Sequence, residues 1–198
     1  MQRVRIVLWV LVALAMAALA FLMLRPAQQT PTQQQPMTIS SVGGPFTLTG
    51  SDGKPFSSVS LGGKPYAIFF GFTHCPDVCP TTLARLTKLR RELGKGDGAL
   101  SIVFISVDPE RDTPAEVDTY MKLYDSPVIG LTGTPAQIEQ VKKQFGTYSR
   151  KVEQPGGSYS VDHTATVILL DRNGQFSSTL SPEEGNQVAL DKLKRIAA

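Results

Sequence analysis

Polar and apolar positions divide the chain into stretches of different rhythm. Ile6 to Leu24 reads IVLWVLVALAMAALAFLML, 19 residues without a charge or a strongly polar side chain. As a helix it would rise about 1.5 Å per residue and nearly cross a hydrocarbon core of roughly 30 Å. A buried helix of a soluble domain shows polar positions at helical spacing, and this one shows none. The pattern predicts a transmembrane anchor at 6–24 after a short N-terminal segment, 1–5. Ala18-Leu19-Ala20 also fits the small-x-small site of a cleaved signal peptide. The apolar run continues past that site to Leu24, which favours an uncleaved anchor. No cysteine follows the run to accept a lipid, and the segment is not the amphipathic, Arg- and Ser-rich kind that targets organelles.

Residues 25–36 carry almost no apolar surface, since Pro26 to Pro36 (PAQQTPTQQQP) contains only Pro, Gln, Thr and Ala. Such a composition cannot repay the entropy of folding, so it reads as a tether that reaches up to about 35 Å when extended. From Met37 to Ala198 the pattern alternates between strand and helix. Phe46 to Thr49, the turn Ser51-Asp52-Gly53 and a second extended run predict an opening hairpin. Tyr66 to Phe72 (YAIFFGF) and Leu100 to Val107 (LSIVFISV) are continuous apolar runs, as expected of strands covered on both faces. Pro80 to Leu93 places Leu83, Leu86, Leu89 and Leu93 at helical spacing, with Gly94 and Gly96 ending it. Helices are further expected at Pro114–Tyr124, Pro135–Phe145 and Pro182–Ile196. Val128 to Leu131 is short and extended, and Val161–Leu170 and Gln175–Leu180 read as strands around the turn Asp171-Arg172-Asn173-Gly174. Strands interleaved with helices predict an α/β domain with a largely parallel sheet and a closing antiparallel hairpin.

Charge sharpens this picture. The formal net charge is +3, from 20 basic and 17 acidic residues. Arg3, Arg5 and Arg25 precede the first acid, Asp52, so the 17 remaining basic residues face 17 acidic ones and the folded part is neutral. No basic surface is left to neutralise phosphates, which argues against a nucleic-acid partner despite a pI near 8.9. Two arginines before the apolar run and one after it bias the N-terminus to the cytoplasm and the domain to the far side.

Candidate chemistry is concentrated in GFTHCPDVCP, Gly71 to Pro80. Cys75 and Cys79 are the only cysteines, and they sit between a buried strand and the mouth of a helix. A helix N-terminus lowers thiol pKa and favours the reactive anion. Pro80 suits the first helical position, where its missing N–H costs nothing. At i and i+4 of a regular helix, Cβ atoms are about 6 Å apart, whereas a disulfide needs roughly 3.8 Å. Two thiolates on one metal tolerate the wider separation. The chain has two histidines, His74 and His163. His163 precedes a strand whose start can lie near the first helix, whereas His74 adjoins Cys75 and is expected to point elsewhere. Two sulfurs and one imidazole suit copper, as Cu(I) or, with an added ligand, Cu(II). Zinc would want a closed site of four ligands, which only His74 could complete. A structural disulfide or plain redox pair fits the spacing equally well, and a histidine beside a strand is commonly a hydrogen-bonded structural residue. Asp77 and Asp162 read as a helix-cap acid and a loop acid, and the methionines as packing.

At these residues the chain resembles the Sco/SenC family of membrane-anchored, thioredoxin-like copper proteins. The resemblance lies in GFTHCPDVCPTTL at 71–83, SVDPERDTP at 106–114, GLTG at 130–133, VDHT at 161–164 and LLDRNG at 169–174. It covers essentially all of residues 38–196. It implies a thioredoxin-like domain over 37–198 with Cys75, Cys79 and His163 as copper ligands. It further implies that Asp108 supports the site or partner docking. The implied role is assembly of the dinuclear copper centre in cytochrome c oxidase subunit II, with a periplasmic copper donor and a thiol reductant as further partners. The implied location is the bacterial inner membrane, single-pass, with the domain in the periplasm. Some family members look more like thiol-disulfide reductases, for which Cys75 and Cys79 would be the catalytic pair. A peroxidase is disfavoured, since the peroxiredoxin pattern places Pro seven and Thr or Ser three residues before the reactive cysteine, positions held here by Ile68 and Phe72.

Overall fold

The structure, a computed structural model, describes residues 42–198 and, from the N-terminal stretch, the helical positions Gln2, Arg5, Trp9, Ala13, Leu14, Met16 and Phe21. The chain divides into two units, Met1–Pro36 and Met37–Ala198. Apart from those positions, the anchor expected at 6–24 and the tether at 25–36 lie outside the described residues. Among the described residues no helix is long and apolar enough to cross a membrane.

The folded unit holds β1 (Thr47–Gly50), β2 (Pro55–Ser57), β3 (Tyr66–Gly71), α1 (Val78–Glu92), β4 (Ser101–Ser106), α2 (Pro114–Met121) and β5 (Ile129–Thr132). It continues with α3 (Pro135–Phe145), β6 (Ser149–Glu153), β7 (Tyr159–His163), β8 (Val167–Leu170), β9 (Phe176–Leu180) and α4 (Asn186–Ala197). A seven-stranded sheet runs in the order β2-β1-β5-β4-β3-β8-β9, and β6 and β7 form a separate two-stranded sheet.

All six residues of β3 are buried, which explains its unbroken apolar sequence. On one face Phe70 meets Phe145 of α3, with centroids 6.0 Å apart. On the other, Phe69 and Phe104 sit side by side, and Phe104 packs on Tyr120 of α2 at 5.7 Å. Thr113 and Thr134 cap α2 and α3, each followed by a proline at the start of its helix. Gly130 lets α2 approach β5, because a Cβ there would lie 2.5 Å from Val117 and 2.6 Å from Met121.

The sheet is mixed rather than largely parallel. Only β3–β4 and β4–β5 are parallel; β1–β2, β1–β5, β3–β8 and β8–β9 are antiparallel. The opening hairpin docks on the far edge at β5, a choice that apolar pattern does not encode. The single strand expected over Val161–Leu170 is two, because Thr164 leaves the ladder and closes the β6–β7 hairpin, donating its N–H to the Tyr148 carbonyl at 3.0 Å. Helix α1 starts at Val78, which puts Pro80 at its third position. Proline is still tolerated there, since the first four N–H groups have no intrahelical partner. The final helix starts at Asn186 rather than Pro182. The intervening turn is held by Arg85, which donates to the carbonyls of Ser181 at 3.1 Å, of Pro182 at 3.4 Å and of Glu184.

Candidate metal and thiol centre

The centre is built where β3 ends. Gly71 closes that strand, and its carbonyl accepts from the Val107 N–H at 2.8 Å, holding the ends of β3 and β4 together. A Cβ on Gly71 would lie 2.8 Å from Cys79 Sγ and 2.9 Å from Phe104 Cε2. Glycine is therefore what seats the buried sulfur. The chain then turns through Thr73 and His74, with the Cys75 N–H donating to the Phe72 carbonyl at 3.2 Å. Asp77 stands at the N-cap of α1, but its side chain makes no capping bond; it accepts instead from Thr81 Oγ1 at 3.3 Å.

Cys75 is half-buried, Cys79 is fully buried, and both are free thiols. The Cys79 N–H donates to Cys75 Sγ at 3.4 Å, so a first-turn amide of the helix points at that sulfur. His163 ends β7 and brings Nε2 to 3.4 Å from Cys79 Sγ. Its Nδ1 lies 3.1 Å from the Thr164 carbonyl, which can only accept, so Nδ1 carries the proton and Nε2 offers its lone pair inward. The edges of Phe69 and Phe72 hold the ring, at 6.0 and 5.8 Å. The ligand atoms of Cys75, Cys79 and His163 all lie within 4.8 Å of one another. Among the described residues, no fourth Cys, His, Asp or Glu joins that group.

The two cysteines titrate in opposite directions. The hydrogen bond from Cys79 holds the Cys75 thiol down at about 3, with partial burial acting against it. The same bond, together with burial, pushes Cys79 far up. Cys75 is thus the thiolate and Cys79 the thiol at neutral pH.

Asp108 does not touch the three ligands. It is buried, and its carboxylate accepts from Arg111 Nε at 2.5 Å and from the Tyr159 hydroxyl at 2.9 Å. Arg111 lies over the Tyr159 ring at 3.7 Å and donates to the Tyr159 carbonyl at 3.0 Å. Asp108 therefore latches the start of β7, and β7 carries His163 at its other end. Asp112, in a run whose sequence reads only as a strand end with helix capping, is fully buried beneath the cysteine loop. It accepts from the Thr73 N–H at 3.0 Å, Thr73 Oγ1 at 2.7 Å and Ser106 Oγ at 2.6 Å. The SVDPERDTP block contained Arg111 and Asp112; Tyr159 had no signal in the sequence.

The family model described as SCO1/SenC matches residues 34–198. The chain belongs to the SCO1/SenC family. Among curated relatives, the mitochondrial protein SCO2 of Saccharomyces cerevisiae is 40% identical over 157 residues, 78% of this chain and 52% of that protein. The chain thus spans about half of that relative's length. The structure of Bradyrhizobium japonicum ScoI with copper bound has 46% identity and a TM-score of 0.70, covering 78% of this chain and 99% of that one. BsSco, a member of the Sco family of cytochrome c oxidase assembly proteins in which a disulfide switch has been identified, has 27% identity and a TM-score of 0.61. It covers 78% of this chain and 92% of that one. The fold of this SCO1/SenC protein is accordingly thioredoxin-like, with a mixed sheet flanked by helices.

Proposed function

We propose that this protein is a membrane-anchored copper carrier of the bacterial inner membrane, its domain in the periplasm. Its cargo goes to the dinuclear copper centre of cytochrome c oxidase subunit II. The observation that carries the reading is the group of two thiols and one imidazole with ligand atoms within 4.8 Å. Soft sulfur with imidazole nitrogen selects copper among biological metals, and the missing fourth ligand argues against a closed zinc site. Copper in Bradyrhizobium ScoI and the assembly family of BsSco support cargo and role. The uncharged run at 6–24, the arginines around it and the tether support the anchoring.

The two cysteines differ in a way that orders an exchange of ligands. Cys75 is partly exposed and already a thiolate, so it meets an incoming ligand first; the fully buried Cys79 and the partly buried His163 hold from the other side. On loading, Cys79 gives up its proton to solvent as its sulfur bonds the ion. Open coordination lets a thiolate of the acceptor enter and Cys75 leave without breaking the fold. Ligation needs both thiols reduced, so an oxidising compartment competes by forming the disulfide, and a thiol reductant must keep the protein receptive. A periplasmic copper donor loads it. The test is titration of the reduced, full-length protein with Cu(I) in competition with a chelator. One equivalent should bind tightly, and His163→Ala should weaken it; no binding overturns the reading. Labelling of Cys75 by a membrane-impermeant maleimide on intact spheroplasts tests the placement of the domain.

A second reading is favoured by the split in the thiols. A half-exposed thiolate beside a buried partner thiol is the arrangement of a dithiol reductant. Cys75 would attack a substrate disulfide and form a mixed disulfide. Cys79, deprotonated, would then displace the substrate thiolate, leaving Cys75–Cys79 oxidised and the substrate reduced by two electrons. Incubating copper-free protein with oxidised subunit II separates the two: this reading predicts reduction without copper and little loss on His163→Ala.

A further inference from the structure

His74 is not among the three clustered ligands, yet it is held as ligating histidines are held. Its side chain is half-exposed, 52% accessible. Its Nδ1 lies 3.0 Å from Thr73 Oγ1. That hydroxyl has one proton, and the 2.7 Å bond to the buried Asp112 carboxylate takes it. Thr73 Oγ1 must therefore accept from His74, which places the proton on Nδ1 and leaves the Nε2 lone pair unused. Asp112 is itself fixed by the Thr73 amide and Ser106, so the relay rests on the ends of β3 and β4 rather than on the surface. A buried carboxylate acting through a hydroxyl to fix an imidazole tautomer is the outer-shell arrangement that orients metal-binding histidines. His163 is fixed in the same tautomer by Thr164, so the two imidazoles of the chain are set alike. One serves the buried side of the centre; the other is exposed and adjoins Cys75 in the chain.

We propose that His74 Nε2 is the solvent-side ligand through which a copper ion enters and leaves the Cys75–Cys79–His163 group. The inference rests on the copper-carrier reading above and adds the route. On loading, His74 Nε2 bonds the ion as the donor's ligand leaves. The Cys75 thiolate then takes it, the His74 bond breaks, and Cys79 and His163 complete the set. The oxidation state of the ion is unchanged throughout, and the only proton lost is the thiol proton of Cys79. Unloading reverses these steps toward the acceptor.

The test is stopped-flow transfer of Cu(I) from bicinchoninate to the reduced full-length protein, and from the loaded protein to excess bathocuproine disulfonate. His74→Ala should slow both directions by about tenfold, a barrier rise of roughly 1.4 kcal/mol, with the equilibrium affinity unchanged. His74→Met, which supplies a thioether that Cu(I) accepts, should restore most of the rate, whereas His74→Gln should not. Thr73→Val should give a partial slowing. Unchanged rates in His74→Ala, or rescue by Gln as well as Met, overturns the inference while leaving the carrier reading intact. Failure of the unaltered protein to take up copper overturns that reading instead.

Discussion

The cysteine loop and the β6–β7 hairpin contribute to the same three-atom group on opposite terms. The loop is local: Gly71 through Cys79 is a short run, seated on a fully buried strand and entering a helix whose face is buried. The hairpin is distant, with His163 lying 84 residues from Cys79, and it shares no ladder with the main sheet. Its β6 strand is mostly exposed. What anchors the hairpin is largely polar, through Asp108, Arg111 and Tyr159 at one end, with Val161 buried in the core and the His163 ring against Phe69 and Phe72 as its apolar contacts. The contrast separates two tasks. The loop sets which reactive groups exist and in what state, while the hairpin sets whether a third ligand stands in place.

The comparison can be tested by how each region fails. The largest expected effect lies within the loop. With Cys75 held down at about 3 and Cys79 pushed up and buried, iodoacetamide should modify Cys75 roughly a thousandfold faster than Cys79 near neutral pH. A lowered pKa keeps the thiolate present as pH falls, so the Cys75 rate should stay flat from about pH 8 to about pH 5 and drop only as pH approaches the folded pKa. Mass-spectrometric mapping of the label over time reads this, and equal rates for the two sulfurs would remove the asymmetry. Next comes the hairpin's ligand. His163→Ala should lower Cu(I) affinity by about a hundredfold in a chelator competition, with only a modest loss of thermal stability, since the ring is partly exposed and packs edge-on against Phe69 and Phe72.

A smaller effect is expected one step removed. Asp108→Asn weakens the hold on Arg111 and Tyr159, and should cost about tenfold in affinity. Amide exchange should quicken in β6 and β7 but not in α1, a pattern that a general loss of stability would not produce. The smallest change is Tyr159→Phe. It removes one hydrogen bond to Asp108 and leaves Arg111 in place, worth about 1 kcal/mol in unfolding and a few-fold in affinity.

Legibility in the sequence follows the same division. The strands 66–72 and 100–107 and the helices at 114 and 135 could be read because burial on both faces, prolines and threonine caps leave marks in consecutive residues. The cysteine pair and its helix mouth were legible for that reason; His163 was a candidate from its place before a strand, and the resemblance set it as their companion. The hairpin was not. Ser149-Arg150-Lys151-Val152-Glu153 shows no apolar alternation, because a two-stranded sheet over a polar latch has little core to face. The opening and closing hairpins were legible as antiparallel pairs, but the β1–β5 and β3–β8 pairings were hidden, since which edge a hairpin joins depends on tertiary packing. Asp112 carries no mark of its role, because a buried acid bound to Thr73 and Ser106 looks, in sequence, like any loop carboxylate.

Gly71 bears on whether this centre is portable. The seat of the Cys79 sulfur is defined by an atom that is missing, 2.8 Å away, and bounded on the other side by a phenylalanine of the neighbouring strand. Grafting Cys-Pro-Asp-Val-Cys-Pro onto the end of a strand in another α/β protein would transplant the letters without the vacancy. The recipient would need glycine at the strand end, an aromatic ring on the neighbouring parallel strand two residues before that glycine's partner, and a helix starting seven residues later. A recipient with alanine at that strand end would push the sulfur outward, and the graft would then hold an exposed dithiol rather than a half-buried one.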